Sequence, residues 1–132
     1  ILYIALHSKN GNAIGLKQIS NSQKIPPHFL SKILQQLVKG KILTSLKGPN
    51  GGFVLNMDPS KLRLIKVVNI IDGLDIFERC GIGLKKCSDK NPCPIHFECK
   101  VVKEKIRLLL SEKSLSELIE DVNQGLSIVS FR

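Results

Sequence analysis

The chain has 132 residues, 42% hydrophobic and 23% charged, the balance of a globular protein with one domain, or a small domain plus an extension. A chain of this size buries about two-thirds of the surface it exposes when unfolded, enough for a real core. No apolar run approaches the roughly 18 residues of a membrane helix. The opening Ile1-Leu2-Tyr3-Ile4-Ala5-Leu6 has neither a basic leader nor a small-residue cleavage site, so no membrane insertion or export is expected. It begins partway along a helix and without Met, as expected of a sequence with residues upstream.

Twenty Lys and Arg against eleven Asp and Glu give a net charge of +9. Residues 1–60 hold seven lysines (9, 17, 24, 32, 39, 41 and 47) and a single acid, Asp58. A one-signed half is the electrostatic footprint of a polyanion partner. A membrane surface would call for a basic amphipathic helix with bulky apolar anchors, and none stands out.

Ile1 to Leu6 reads as the end of a buried helix, closed by the turn run Ser8-Lys9-Asn10-Gly11-Asn12. Ile14 to Ser22 reads as a second helix, with Ile14, Leu16 and Ile19 inward. A third runs from Pro27 to Lys39, because Pro is tolerated in a first turn and Gly40 ends it. Leu30, Ile33, Leu34, Leu37 and Val38 give it one buried face. The other face carries His28, Ser31, Lys32, Gln35, Gln36 and Lys39. Ile42 to Lys47 and Phe53 to Leu55 then read as two strands around Gly48-Pro49-Asn50-Gly51-Gly52, a hairpin with an Asn-Gly turn.

Helix, helix, helix, hairpin is the order of a winged helix-turn-helix, whose third helix enters the major groove while the wing follows the backbone. Ser, Gln and Lys side chains hydrogen-bond base edges and phosphates, Lys47 stands beside the wing turn, and the Gly-rich tip lets backbone approach a duplex. Double-stranded DNA is therefore the expected partner, and residues 1–58 the expected DNA-binding head.

Residues 59–132 are expected to supply a packing helix, a cysteine loop and a dimerisation helix. Asp58-Pro59-Ser60 is a helix start, followed by an apolar stretch from Leu62 to Ile71 that ends at Asp72-Gly73. Residues 80–94 read as a loop. A long helix follows from Ile95 to Glu112, with Val101, Val102, Ile106, Leu109 and Leu110 on one side. Ser114-Leu115-Ser116-Glu117 is a capping box opening a last helix with Leu118, Ile119 and Val122 inward, and residues 124–132 read as a frayed tail. The fold class is thus mainly α with a small β-hairpin. The apolar long helix predicts a homodimer whose two heads read two half-sites.

All four cysteines fall in one stretch, Cys80-x6-Cys87-x5-Cys93-x5-Cys99. Thiolates bind zinc and iron–sulfur clusters, and a loop can wrap several around one centre. The spacing is wider than that of zinc knuckles, and no Cys-x-x-Cys is present. A disulfide framework is not expected of a basic DNA-binding protein in a reducing cytoplasm. Buried free thiols are the plain alternative. An enzyme is not expected, since no His-Glu-x-x-His, P-loop, Gly-x-Gly-x-x-Gly or Gly-x-Ser-x-Gly is present.

Lys47-Gly48-Pro49-Asn50-Gly51-Gly52-Phe53 resembles the wing of the bacterial iron–sulfur cluster regulator (IscR) and nitric-oxide-sensitive repressor (NsrR) family. Phe29 to Leu37 resembles its recognition helix, and Cys87-x5-Cys93-x5-Cys99 its cluster-binding cysteines. The resemblance covers about residues 1–122. It implies a dimeric winged-helix transcription factor whose His28, Phe29, Ser31, Lys32, Gln35, Gln36, Lys39 and wing residues Lys47, Gly48, Pro49, Asn50 and Gly51 meet DNA. It also implies a [2Fe–2S] or [4Fe–4S] cluster on Cys87, Cys93 and Cys99, although some members work without one. One branch has a His three residues after the last Cys, where this chain has Val102. Another uses an acidic residue near the N-terminus that this chain does not include. The fourth ligand is therefore open between Cys80 and His96. A cluster-free regulator acting through thiol oxidation, zinc or a small ligand is the alternative.

Overall fold

A computed structural model describes residues 1–8 and 11–129. Helix α1 spans Leu2–His7, α2 Leu16–Gln23 and α3 Pro27–Lys39. The α3 bounds are those the sequence predicts: Pro27 sits in its first turn, Gly40 follows its last residue, and Leu30, Leu34 and Leu37 are buried. Helix α2 starts later than its apolar pattern suggests. Ile14 is buried but extended, exchanging backbone hydrogen bonds with Phe53 at 3.0 Å in each direction. Apolar periodicity marked Ile14 as inward without separating a helix from a bridge.

Strand β1, Leu43–Leu46, pairs antiparallel with β2, Gly52–Leu55, with Leu43 opposite Leu55 and Leu46 opposite Gly52. The turn between them is centred on Pro49-Asn50 rather than Asn50-Gly51, because the Gly51 N–H donates to the Gly48 carbonyl at 2.9 Å. Proline pre-sets φ for the first central position of such a turn. Gly52 has φ +151°, and a side chain there would collide with the Ile14 carbonyl. Here the wing crosses the strand-like entry to α2.

The predicted helix after Asp58 is split. Asp58 caps a short 3-10 turn, Pro59–Lys61, accepting from the Ser60 N–H at 2.8 Å. The chain then runs extended through Leu62 and Arg63, and helix α4 begins only at Leu64, ending at Ile71. The break has a partner: the Leu64 N–H donates to the Lys113 carbonyl (3.0 Å), and the Leu115 N–H to the Leu62 carbonyl (2.9 Å). Helix α4 packs on α3 and on α5, His96–Glu112. Gly40 gives it room, since a side chain there would strike Ile70. Helix α6, Leu115–Asn123, opens with the predicted capping box on Ser114 and Glu117. Its C-terminal turn is closed by the Leu126 N–H on the Asp121 carbonyl (2.9 Å).

One core joins both halves of the chain. Ile4, Ile14, Ile19, Leu30, Leu34, Leu37, Ile42 and Leu43 are buried together with Leu62 and Leu115, both 0% exposed. Helix α4 has no fully buried residue but packs Val67, Ile70 and Ile71 against this core. Helix α5 has no buried residue either, and its Val101, Val102 and Leu109 are each 55% exposed. Among the described residues, no helix is long and apolar enough to cross a membrane.

Candidate metal centre and nucleic-acid face

On α3, the outward positions His28, Phe29, Lys32, Gln35, Gln36 and Lys39 are exposed. Ser31 is half-buried and accepts from the Gln35 side chain at 3.4 Å. In the wing, Lys47, Gly48, Pro49 and Asn50 are exposed and Gly51 is half-buried. The wing tip faces the entry to α2 across a shallow cleft lined by Asn12, Gln18, Pro49 and Asn50. Six of the seven lysines before residue 60 are described, and all six are exposed. Among the described residues, none of the six is in an ion pair, since each pair involves residues from Arg63 onward. Unpaired cations on one half produce an outward positive field that short-range pairing does not cancel.

The thiols form a second feature. Cys80, Cys87 and Cys93 bring their sulfur atoms within 4.8 Å of one another. Cys80 and Cys93 are in hydrogen-bond contact at 3.7 Å, and the Cys93 N–H donates to the Cys87 sulfur at 3.4 Å. Cys99 lies outside this group. It belongs to the first turn of α5, and its sulfur rests over Gly81, where a side chain would meet it. The reason is local: Cys99 lies three residues into α5, and the helix turns its sulfur toward Gly81 rather than toward the loop thiols. The spacing Cys87-x5-Cys93-x5-Cys99 carries no sign of that boundary.

His96 brings a nitrogen to the same place. Its Nδ1 is 3.0 Å from the Cys87 sulfur, and its Nε2 is 2.7 Å from Asp89 Oδ1. Asp89 also accepts from Lys100 Nζ at 2.6 Å. Lys100 and His96, with the opposing cost of partial desolvation, hold the Asp89 carboxyl below its usual range. Sequence reasoning had offered Cys80 and His96 as rival fourth ligands, whereas both stand beside Cys87. It missed Asp89 altogether. For His96 one signal was available: counted from Cys93 rather than Cys99, a histidine does stand three residues on.

The cysteines differ in acidity. The backbone amides of Ile82 and Leu84 and the neighbouring Cys93 and Cys87 thiols bring Cys80 down to about 7. Cys87 accepts from the Cys93 amide, yet burial, the two neighbouring thiols and the charge on Cys80 together push it up. The first thiol to ionise thus makes the second harder to ionise, as expected of close like charges. The group opens onto a cavity of about 980 Å³ between α5 and the turn Leu74–Phe77. Three soft sulfur donors with an imidazole beside them are a donor set that fits both an iron–sulfur cluster and zinc.

A family model described as Rrf2, an iron-dependent transcriptional regulator, matches residues 1–121. The chain belongs to the Rrf2 family. This Rrf2 protein is 31% identical over 121 residues to the HTH-type transcriptional regulator IscR of Yersinia pseudotuberculosis, covering 92% of this chain and 73% of that protein. Its fold is similar to that of IscR from T. potens, with a TM-score of 0.71 at 17% identity over 98% of this chain and 85% of that one. It is also similar to CymR of B. subtilis, described as a global cysteine regulator, with a TM-score of 0.68 at 17% identity over 90% and 86%. Among the described residues, the mainly α architecture with one hairpin is therefore the winged-helix fold of Rrf2 regulators, and both the family model and the Yersinia IscR are described as transcriptional regulators.

Proposed function

We propose that this Rrf2 protein binds specific duplex DNA sequences and that an iron–sulfur cluster, [2Fe–2S] or [4Fe–4S], controls its affinity for them. The carrying observation is the convergence of Cys80, Cys87 and Cys93 within 4.8 Å, with His96 Nδ1 3.0 Å from Cys87. These four residues would hold the cluster, and Cys99 is left out of the set. The cluster would supply a group whose charge and presence depend on iron supply and oxidants. The chain's own residues do the rest. Residues 1–58 form the head. Lys32, Lys39 and Lys47 meet phosphates, Gln35, Gln36, Ser31 and His28 meet base edges, and Phe29 offers an exposed apolar surface beside them. Gly48, Pro49, Asn50 and Gly51 bring the wing's backbone close.

Residues 59–132 carry the packing helix, the thiol loop and α5. The half-exposed apolar side of α5 (Val101, Ile106, Leu109) is the surface through which two copies form a homodimer. Ordering the thiol loop changes how α5 presents the two heads. The cluster shifts DNA binding only by its differential affinity for the DNA-competent form. Four free thiols suit a reducing cytoplasm.

Anaerobic purification tests this reading, with a visible spectrum, iron and acid-labile sulfide counts, and DNA affinity before and after removal of the metal. Matched iron and sulfide and a changed affinity are expected. A colourless protein that takes up neither after reconstitution would overturn cluster control while leaving DNA binding intact.

One observation favours zinc as a second reading. Ligands at about 2.3 Å around a tetrahedral ion lie about 3.8 Å apart, and the Cys80 and Cys93 sulfur atoms are 3.7 Å apart. One zinc per chain, without iron or sulfide, would select it.

A further inference from the structure

We infer that Asp89 is a positioning residue that fixes the His96 imidazole so that Nδ1, and not Nε2, is the nitrogen offered to the metal; this rests on the ligand set proposed above. Asp89 uses both carboxylate oxygens as acceptors, Oδ1 for His96 Nε2 at 2.7 Å and Oδ2 for Lys100 Nζ at 2.6 Å. An ionised carboxylate only accepts, so Nε2 carries the ring proton. A nitrogen that binds a metal carries no proton, so with Nε2–H held by Asp89 the donor lone pair is that of Nδ1. That atom faces Cys87 at 3.0 Å, on the side where the three sulfur atoms meet.

The sequence builds this arrangement from both ends. Asp89 and Lys90 form the tip of a turn closed by Ser88 and Asn91, whose backbones exchange hydrogen bonds at 3.1 and 3.0 Å. The Asn91 side chain ties the turn down by donating to the Lys86 carbonyl at 3.3 Å. The five residues between Cys87 and Cys93 are therefore a device that aims one carboxylate. On the other side, His96 and Lys100 are four residues apart on α5, hence on one helix face, and both reach Asp89. A carboxylate behind a ligating imidazole commonly sets its orientation and strengthens it as a donor.

The test uses the full chain reconstituted anaerobically with ferrous iron and sulfide, then reduced by one electron. Histidine carries 15N at Nδ1 alone or at Nε2 alone, and pulsed EPR reads the coupling. The Nδ1 label is expected to show the strong coupling of a directly bonded atom, and the Nε2 label only a several-fold weaker one. Asp89→Ala should mix or lose this pattern. Asp89→Asn, whose amide oxygen still accepts from Nε2–H, should restore it. Strong coupling at Nε2, no nitrogen coupling in an iron-loaded protein, or an Asp89→Ala spectrum equal to wild type would each overturn the inference. Wild type that binds no iron would instead remove the cluster reading beneath it, and the iron count shows that separately. The wild-type labels decide the coordinating atom even where a variant does not load.

Discussion

The sulfur atoms of Cys80 and Cys93 lie 3.7 Å apart although thirteen positions separate them in the chain, while Cys99, only six positions beyond Cys93, points its sulfur at Gly81. A shared centre is thus assembled from three loop thiols and His96, the first residue of α5, without Cys99.

Removing either of the first pair should therefore matter more than removing the last cysteine. Cys80→Ala and Cys93→Ala are expected to lose bound metal, with affinity falling by more than the roughly 10- to 100-fold typical of an outer partner such as Asp89. Cys99→Ala should keep it. Iron and sulfide per chain, measured side by side, check this. A Cys99→Ala protein that comes out empty would restore the set Cys87, Cys93, Cys99.

The lysines before residue 60 should read out as salt dependence. Lys47→Ala is expected to reduce the slope of log affinity against log salt by about one unit, nearly equally for all sequences. Gln35→Ala should instead cost about 1–3 kcal/mol at one base position and relax the preference there. Fluorescence anisotropy at several salt concentrations separates the two effects.

The apolar side of α5 gives a third expectation. Leu109→Glu places a charge where the proposed dimer would bury it, and a buried unpaired charge is strongly unfavourable. Sedimentation velocity should show a shift from dimer to monomer, with affinity for a two-half-site duplex falling toward that of one half-site. A wild-type protein that sediments as a monomer at micromolar concentration would contradict the dimer.

Glu117 links stability to acid. Its carboxylate accepts from the Ser114 backbone and side chain and from Lys113, which lowers it from an ordinary value of 4.5 to about 2. A carboxyl held low in the folded state stabilises it above the unfolded value, and that contribution disappears as pH falls through the folded one. The capping box should therefore weaken between about pH 4.5 and 2. Glu117→Gln should flatten the urea-midpoint curve across that window and leave its shape near neutrality unchanged.

Much of the architecture was written in local patterns. Pro27, Gly40 and an apolar spacing of three and four residues bound α3, and Ser114 with Glu117 announces α6. What escaped was tertiary. Ile14 sits in an apolar spacing that suits a helix, yet its backbone pairs with Phe53. The helix after Asp58 breaks at Leu62 because that segment's hydrogen bonds go to Lys113 and Leu115, about fifty residues away. In the cysteine loop, even spacing concealed where the loop stops and α5 starts. Asp89 had no pattern of its own, since a carboxylate becomes meaningful only once His96 and Lys100 stand across from it.

The backbone seam between Leu62–Leu64 and Lys113–Leu115 has a topological consequence. Leu62 and Leu115 are both fully enclosed, and between them α4 still packs Val67, Ile70 and Ile71 on the core, so the excursion proper is the stretch from Asp72 to the start of α5, held by α4 and this seam. Lengthening such an excursion costs only slowly growing closure entropy. Insertions, deletions or a new sensing chemistry can thus be fitted between residues 72 and 95 without reaching the buried contacts of the head. Changes made there fall on the proposed sensor and leave the proposed DNA-reading head as it is.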